Sequence, residues 1–311
     1  MAGRGNGWNA VTGASGYSGK YITQELLRRG EQVKTFMRYP ERGTPFGAQV
    51  PVFPLSFNDL RALTEHLRGA KVLYNTYWIR FEHRGDTFAQ AIENTRRLLQ
   101  AAKTAGVPRV VHLSVTNADP HSQLPYYRGK AIVEQEVRDS GLSYAIIRPT
   151  VIYGHEDILI NNAAWCLRRF PCFAIPGRGT YCLQPVFVED MVCIAVEAGQ
   201  RSDNIICDAA GPDTLTFTEL VRQLGQAISS RAWILHAPPR IALAASQMIG
   251  RMVGDIVLTR EELEGLMANL LVSSAPPLGT TRFADWLRQH RADVGVTYAS
   301  ELHRHFSAAG R

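Results

Sequence analysis

Lysines, runs of basic residues, paired cysteines and long apolar runs are scarce or missing in this 311-residue chain, and these scarcities argue against several classes of protein. Only five of its 34 basic residues are lysines, and the arginines are scattered, with no run of five or more basic residues. The formal net charge is +6, yet no basic stripe carries interleaved aromatic residues. We therefore expect a mildly basic, solvated surface and no nucleic-acid partner.

Paired cysteine motifs are also missing. The five cysteines are odd in number and include no C-x-x-C pair, which argues against a disulfide framework and a zinc site. The histidines show no metal-ligand spacing, so we expect no metal. No secretory leader or 18-residue apolar run is visible, and the sequence therefore predicts a cytoplasmic protein without a transmembrane segment.

The most informative stretch that is present runs from Val11 to Gly19. It places Gly13, Gly16 and Gly19 as G-x-x-G-x-x-G between an apolar strand, Trp8 to Thr12, and a helix with apolar residues at helical spacing. Such glycines let the backbone approach a pyrophosphate, and the N–H groups of the first helical turn point at it. The pattern predicts dinucleotide binding, with a tight structural turn as the alternative.

Strand and helix patterns alternate through the first two-thirds of the chain, which predicts a doubly wound parallel sheet of the Rossmann type. We expect a dinucleotide-binding domain over residues 1–154 and 184–210. The loop-rich residues 155–183, with residues 211–311, would form a smaller, mostly helical lobe. Within it, Ile241–Val257 reads as an amphipathic helix that packs in the lobe, with a membrane or partner surface as the alternative.

Tyr126 and Lys130 are four residues apart, so a helix places them on one face. A nearby ammonium favours the phenolate form of a tyrosine, which then exchanges a proton with a carbonyl or alcohol oxygen. This pair opens the helix that follows the fifth strand, and that strand ends in Ser114-Val115-Thr116. A hydroxyl there could bind the substrate oxygen. Tyr127 is a competing phenol, but it lies three residues from Lys130.

These motifs, with Arg148-Pro149-x-x-x-Tyr153-Gly154, resemble in order and spacing the extended and atypical short-chain dehydrogenase/reductase superfamily, which includes epimerase/dehydratase-like and NmrA-like proteins. The segments Gly177–Gly179, Gln184–Asp190, Leu258–Glu262 and Gly295–Tyr298 are similar to the group of the NAD(P)-binding accessory subunit of respiratory complex I.

The resemblance implies specific site residues. Tyr126 would be the acid–base group, Lys130 would bind the nicotinamide ribose, and Ser114 or Thr116 would orient the substrate oxygen. The cofactor-binding residues that it implies are Gly13, Ser15, Gly16, Tyr17, Gly19, Arg38, Thr76, Lys130 and Pro149.

The residue after the second strand bears on cofactor choice. NAD-selective folds place an acidic residue there, whereas this chain has Arg38 and no acid until Glu41. A guanidinium suits a 2′-phosphate, so we favour NADP(H) over NAD(H). The segment Phe53–Phe57 also lacks the acid that extended members use to contact adenine.

The sequence therefore predicts an NADP(H)-dependent oxidoreductase acting on a small-molecule carbonyl or alcohol. A non-catalytic NAD(P)-binding sensor or assembly subunit, and a sugar-nucleotide epimerase, are the alternatives. The resemblance is also compatible with a homodimer.

Overall fold

The computed structural model describes residues 7–305, and these divide into two compact units. One comprises residues 7–148 with Val192–Cys207, and the other comprises Pro149–Met191 with residues 208–305. The helices and strands, in chain order, are β1 (Trp8–Thr12), α1 (Tyr17–Arg28), β2 (Val33–Met37), β3 (Val52–Pro54), α2 (Leu60–Leu67), β4 (Ala70–Asn75), α3 (Phe88–Thr104), β5 (Arg109–Leu113), α4 (Pro125–Asp139), β6 (Ser143–Pro149), β7 (Val151–Tyr153), α5 (Leu159–Arg169), β8 (Cys172–Pro176), β9 (Cys182–Leu183), β10 (Pro185–Phe187), α6 (Val188–Gly199), β11 (Ile205–Ala209), β12 (Leu215–Thr216), α7 (Phe217–Ala227), β13 (Trp233–Ala237), α8 (Pro239–Val253), α9 (Arg260–Met267), α10 (Phe283–His290) and α11 (Glu301–His305).

The first unit is built on a seven-stranded sheet in the order β11-β6-β5-β4-β1-β2-β3. The pairs β1–β2, β2–β3, β1–β4, β4–β5 and β5–β6 are all parallel. In this sheet β2 lies on one side of β1 and β4 lies on the other, so the strand order reverses at β1. In doubly wound sheets, the crevice at this reversal of strand order is where ligands bind. The predicted Rossmann-type fold is confirmed.

Buried aliphatic side chains explain why these strands and helices form. Leu73, Val110 and Ile146 lie on the sheet and Leu98 lies on α3, and all four are fully buried in one apolar cluster. Side-chain caps fix where two helices begin: Asp59 accepts a hydrogen bond from the Ala62 N–H at α2, and Thr87 accepts one from the Gln90 N–H at α3.

The second unit corrects the prediction of a loop-rich segment over residues 155–183. This segment contains α5, β8 and β9. Ile160, Ala164 and Leu167 recur at helical spacing on α5 and are buried. The prolines that suggested a loop stand at element boundaries, since Pro171 precedes β8 and Pro176 ends it.

Prolines also mark the boundaries of β6 and α8. Pro149 is the last residue of β6. Pro239 is the first residue of α8, where its missing N–H costs nothing. The helix α8 contacts β8 and α9, so it packs in this unit, but one of its sides stays exposed. Its buried or partly buried apolar residues are Ala242, Leu243, Ala245, Ile249 and Val253, and the exposed ones are Ile241, Ala244, Met248 and Met252. Residues 306–311, the end of the predicted helical lobe, lie outside the described residues.

Candidate functional site

The glycine loop joins β1 to α1 at the reversal of strand order. Gly13 adopts a φ of +71°, a left-handed conformation that glycine tolerates without strain. Its N–H donates to the Phe36 carbonyl oxygen at 2.8 Å, and the Gly16 N–H donates to the Gly13 carbonyl oxygen at 2.9 Å. A Cβ at Gly19 would lie 2.2 Å from the Gly13 carbonyl oxygen. Only glycine at this position allows α1 to begin so close to the end of β1.

The first turn of α1 has the features of an anion site. Gly16 precedes the helix and offers no side-chain cap, and the turn contains no acidic residue. The positive end of the helix is therefore available to a phosphate. Ser15 is exposed within the loop, and Tyr17 is the first helical residue. These residues fit the pyrophosphate of a dinucleotide.

Thr76 lies just beyond β4 and is tied to the end of β1. Its N–H donates to the Thr12 Oγ1 at 2.8 Å, and its own hydroxyl donates to the Thr12 carbonyl oxygen at 2.5 Å. A Cβ at Gly13 would lie 3.8 Å from the Thr76 Oγ1. Thr76 therefore lies beside the glycine loop and fixes the distance between the two strand ends.

Arg38 lies at the predicted position, immediately after β2, but an acidic residue accompanies it. Its guanidinium contacts the Asp86 carboxylate at 2.6 Å and lies over the Tyr39 ring. The hydrogen bond to Asp86 raises the pKa of Arg38. Sequence reasoning missed Asp86 because it is 48 positions away along the chain. An acid and a base thus share the place where dinucleotide-binding folds distinguish a 2′-hydroxyl from a 2′-phosphate.

Lys130 is buried on α4. Its Nζ donates to the Leu113 carbonyl oxygen at 2.8 Å and lies 4.9 Å from the centre of the Trp78 ring. Burial lowers the pKa of Lys130 from 10.5 to about 7, although the Glu134 carboxylate opposes this shift. A lysine with a pKa near 7 gains or loses its charge within the pH range where enzymes operate.

Tyr126 lies in the first turn of α4, one turn before Lys130, and is half-buried. Its ring packs edge-on against Trp78 and Phe88, with centroids 6.2 and 6.1 Å away. Tyr127 is buried. The more accessible of the two phenols is therefore the one at the spacing of four from Lys130.

Ser114 follows β5 and is committed to an internal network. Its hydroxyl donates to the Glu134 Oε1 at 2.5 Å, and the Arg148 Nε donates to the same oxygen at 2.8 Å. Glu134 is almost completely buried, so this ion pair fixes α4 against β5 and β6. In the sequence, the one feature that points to Glu134 is its position on α4, four residues after Lys130. Thr116, the other predicted hydroxyl, is also buried.

The predicted residues of the first unit therefore surround the carboxyl ends of β1, β2, β4 and β5. Pro149, at the end of β6, is the first residue of the second unit.

Comparisons with known proteins agree with this architecture. Residues 13–159 match the model of an NAD(P)H-binding family. The mitochondrial NADH-ubiquinone oxidoreductase 40 kDa subunit of Neurospora crassa is 26% identical over 82% of this chain and 69% of its own length. Sterol demethylase protein B of Methylococcus capsulatus is 32% identical, covering 82% of this chain and 81% of its own length.

Among solved structures, the NADPH-dependent quinone oxidoreductase of Escherichia coli in complex with NADPH has the same fold. The TM-score is 0.72 at 21% identity, over 91% of this chain and 98% of the other. The glycine loop, the strand order and these relatives agree, and the chain belongs to the NAD(P)H-binding, epimerase-like branch of the short-chain dehydrogenase/reductase superfamily.

Proposed function

We propose that this protein is an NADP(H)-dependent oxidoreductase that interconverts a carbonyl compound and an alcohol. The observation that carries the proposal is a buried lysine with its pKa lowered to about 7, one helical turn after a half-buried tyrosine. Burying a lysine destabilises a fold, and such groups are concentrated at functional sites. Both residues lie at the edge of the sheet where the glycine loop is found.

Different residues of the chain bind the cofactor and transfer the proton. The glycine loop and the first turn of α1 hold the pyrophosphate, and the bound dinucleotide supplies or accepts the hydride. Tyr126 donates its Oη proton to the carbonyl oxygen during reduction and accepts a proton during oxidation. Lys130 would bind the nicotinamide ribose and, when charged, favours the phenolate of Tyr126.

The substrate oxygen needs a second hydrogen-bond donor. The two candidates are Ser114, whose hydroxyl donates to Glu134, and Thr116, which is fully buried. The Ser114–Glu134 hydrogen bond also positions the helix that carries Tyr126 and Lys130.

Arg38 supports NADP(H) as the cofactor, since its fork of N–H donors suits a 2′-phosphate. Asp86 weakens that preference, because its carboxylate competes for the same guanidinium and repels a phosphate. We expect NADPH to bind more tightly than NADH, by a ratio that Asp86 limits.

Lipophilic carbonyl compounds are the first substrate class to screen. One relative is named a sterol demethylase protein, and the solved Escherichia coli enzyme of the same fold is named for quinones. Both names point to apolar compounds with carbonyl or hydroxyl groups.

The test combines cofactor titration with turnover. Wild-type protein is titrated with NADPH and NADH by fluorescence and then screened for carbonyl reduction. Tyr126→Phe removes the proton donor, so turnover should fall by about 10²–10⁴-fold while NADPH binding survives. Tyr127→Phe is the matched control and should retain turnover. Normal turnover by Tyr126→Phe would refute the assigned mechanism.

A second candidate is a non-catalytic NAD(P)-binding accessory subunit. Lys130 donates to the Leu113 carbonyl oxygen and lies under Trp78, so the protein's own groups satisfy it. The Neurospora crassa relative is named as a subunit of a respiratory enzyme. This candidate predicts NADPH binding without turnover on any carbonyl, and no effect of Tyr126→Phe on function.

A further inference from the structure

Large apolar side chains are exposed on two consecutive elements of the second unit. On β13, Trp233 is 75% exposed and Leu235 is 50% exposed. On α8, Ile241, Met248 and Met252 are each more than half exposed. Single exposed apolar residues are ordinary, but these five lie on two elements that both contact β8, and such a concentration is typical of an interaction surface.

The positions on α8 form a stripe. Residues 241, 248 and 252 are separated by seven and four positions, so they follow one another along one side of the helix. Ala242 and Gly250, the buried residues of α8, lie on a different side. Arg240 and Arg251 are exposed and lie about a quarter-turn around the helix from the stripe. The outward face of α8 is therefore apolar along its length and basic along one margin.

The charged residues carried by β13, α8 and the loop before β13 have one sign. No aspartate or glutamate occurs between Glu219 and Asp255, and four arginines do. All four are exposed. Arg231, Arg240 and Arg251 lie on α8 or just before β13, whereas Arg222 lies on α7, near Glu219. Elsewhere in the unit, exposed arginines such as Arg260 and Arg288 are paired with carboxylates on their own helices.

We propose that the surface formed by β13 and α8 docks on an anionic lipid bilayer. The apolar side chains would enter the boundary between head groups and acyl chains, and the arginines would extend to the lipid phosphates. Among residues 7–305, no helix is long and apolar enough to cross a bilayer, so the attachment is peripheral. A second copy of the chain fits less well, because a two-fold contact between the exposed sides of α8 would bring Arg240 and Arg251 of both copies together. The inference does not depend on the proposed enzymatic activity.

Vesicle flotation tests the proposal on the full chain. We expect wild-type protein to float with vesicles of phosphatidylcholine and phosphatidylglycerol, to float much less with phosphatidylcholine alone, and to be released by high salt. Replacing the stripe with serine (I241S/M248S/M252S) should weaken binding by at least about tenfold. Removing two charges (R240Q/R251Q) should weaken it about twenty-five-fold, since each arginine near an anionic surface contributes about fivefold.

The control variant is L278S/V296S, which replaces two apolar residues of the same unit that are also nearly half exposed but lie on neither element. It should bind like the wild type. Melting temperature and NADPH affinity should be unchanged in all three variants, because the substituted side chains are exposed.

Three results would overturn the proposal. The first is that the wild type binds charged and uncharged vesicles equally, or binds neither. The second is that the control L278S/V296S loses as much binding as I241S/M248S/M252S. The third is a dimer, measured by light scattering, that I241S/M248S/M252S converts to a monomer, which would make a second copy the occupant of this surface.

Discussion

Lys130→Met should stabilise the fold while it impairs function, and the gain should depend on pH. Lys130 is 4% exposed, and burial lowers its pKa from 10.5 to about 7. Between these pH values the unfolded chain binds more protons than the folded chain, so wild-type stability rises with pH. The cost of burying the ammonium is therefore fully present below pH 7 and declines as the pH approaches 10.5.

The magnitude follows from that shift. Lowering a pKa from 10.5 to about 7 corresponds to about 5 kcal/mol, at about 1.4 kcal/mol for each pKa unit. Roughly 2 kcal/mol of this cost remains at pH 9. Methionine keeps the aliphatic contact with Trp78 but loses the hydrogen bond to the Leu113 carbonyl, worth about 1–2 kcal/mol. The variant should be about 3 kcal/mol more stable than the wild type at pH 6 and nearly equal to it at pH 9.

Urea denaturation at both pH values measures this difference. Lys103→Met, at an exposed lysine of α3, is the control and should show no such dependence on pH. The same stability difference between Lys130→Met and wild type at pH 6 and pH 9 would show that Lys130 is not buried as a destabilising charge.

Two further substitutions test the cofactor site. Gly19→Ala forces a Cβ against the Gly13 carbonyl and should cost about 1–3 kcal/mol and most of the NADPH affinity; Gly225→Ala, a helical glycine with open space around it, should be neutral or slightly stabilising. Unchanged NADPH affinity in Gly19→Ala would contradict the assignment of the glycine loop. Asp86→Asn releases Arg38 from its ion pair and should raise the preference for NADPH over NADH several-fold, measured as the ratio of dissociation constants, whereas Glu41→Gln should leave the ratio unchanged. A lower preference in Asp86→Asn would show that Arg38 does not receive the 2′-phosphate.

The first unit was largely predictable because its signals are local in sequence. The glycine loop, the buried strands and the spacing of Tyr126 and Lys130 can each be read within a few residues. The strands of the parallel sheet are rich in apolar residues, and β1 spans Trp8–Thr12 as predicted.

The residues that sequence reasoning missed act through tertiary contacts. Asp86 reaches Arg38 across 48 positions, and Ser114 donates to Glu134 across 20. Proline and glycine in residues 155–183 favour a loop, whereas the apolar spacing of α5 is the stronger signal. The exposure of Ile241 and Met248 was hidden too, since an amphipathic pattern does not reveal whether anything covers it.

The central claim is that this chain transfers a hydride to a carbonyl with Tyr126 as the proton donor. The most direct test supplies NADPH deuterated at the transferred position together with lipophilic ketones and quinones, and measures deuterium in the product. The account predicts deuterium on the carbonyl carbon of a reduced ketone with the wild type and Tyr127→Phe. Tyr126→Phe should lose at least about a hundredfold of this transfer at unchanged NADPH affinity. Transfer by Tyr126→Phe at the wild-type rate, or NADPH binding by the wild type with no transfer to any carbonyl, would contradict it.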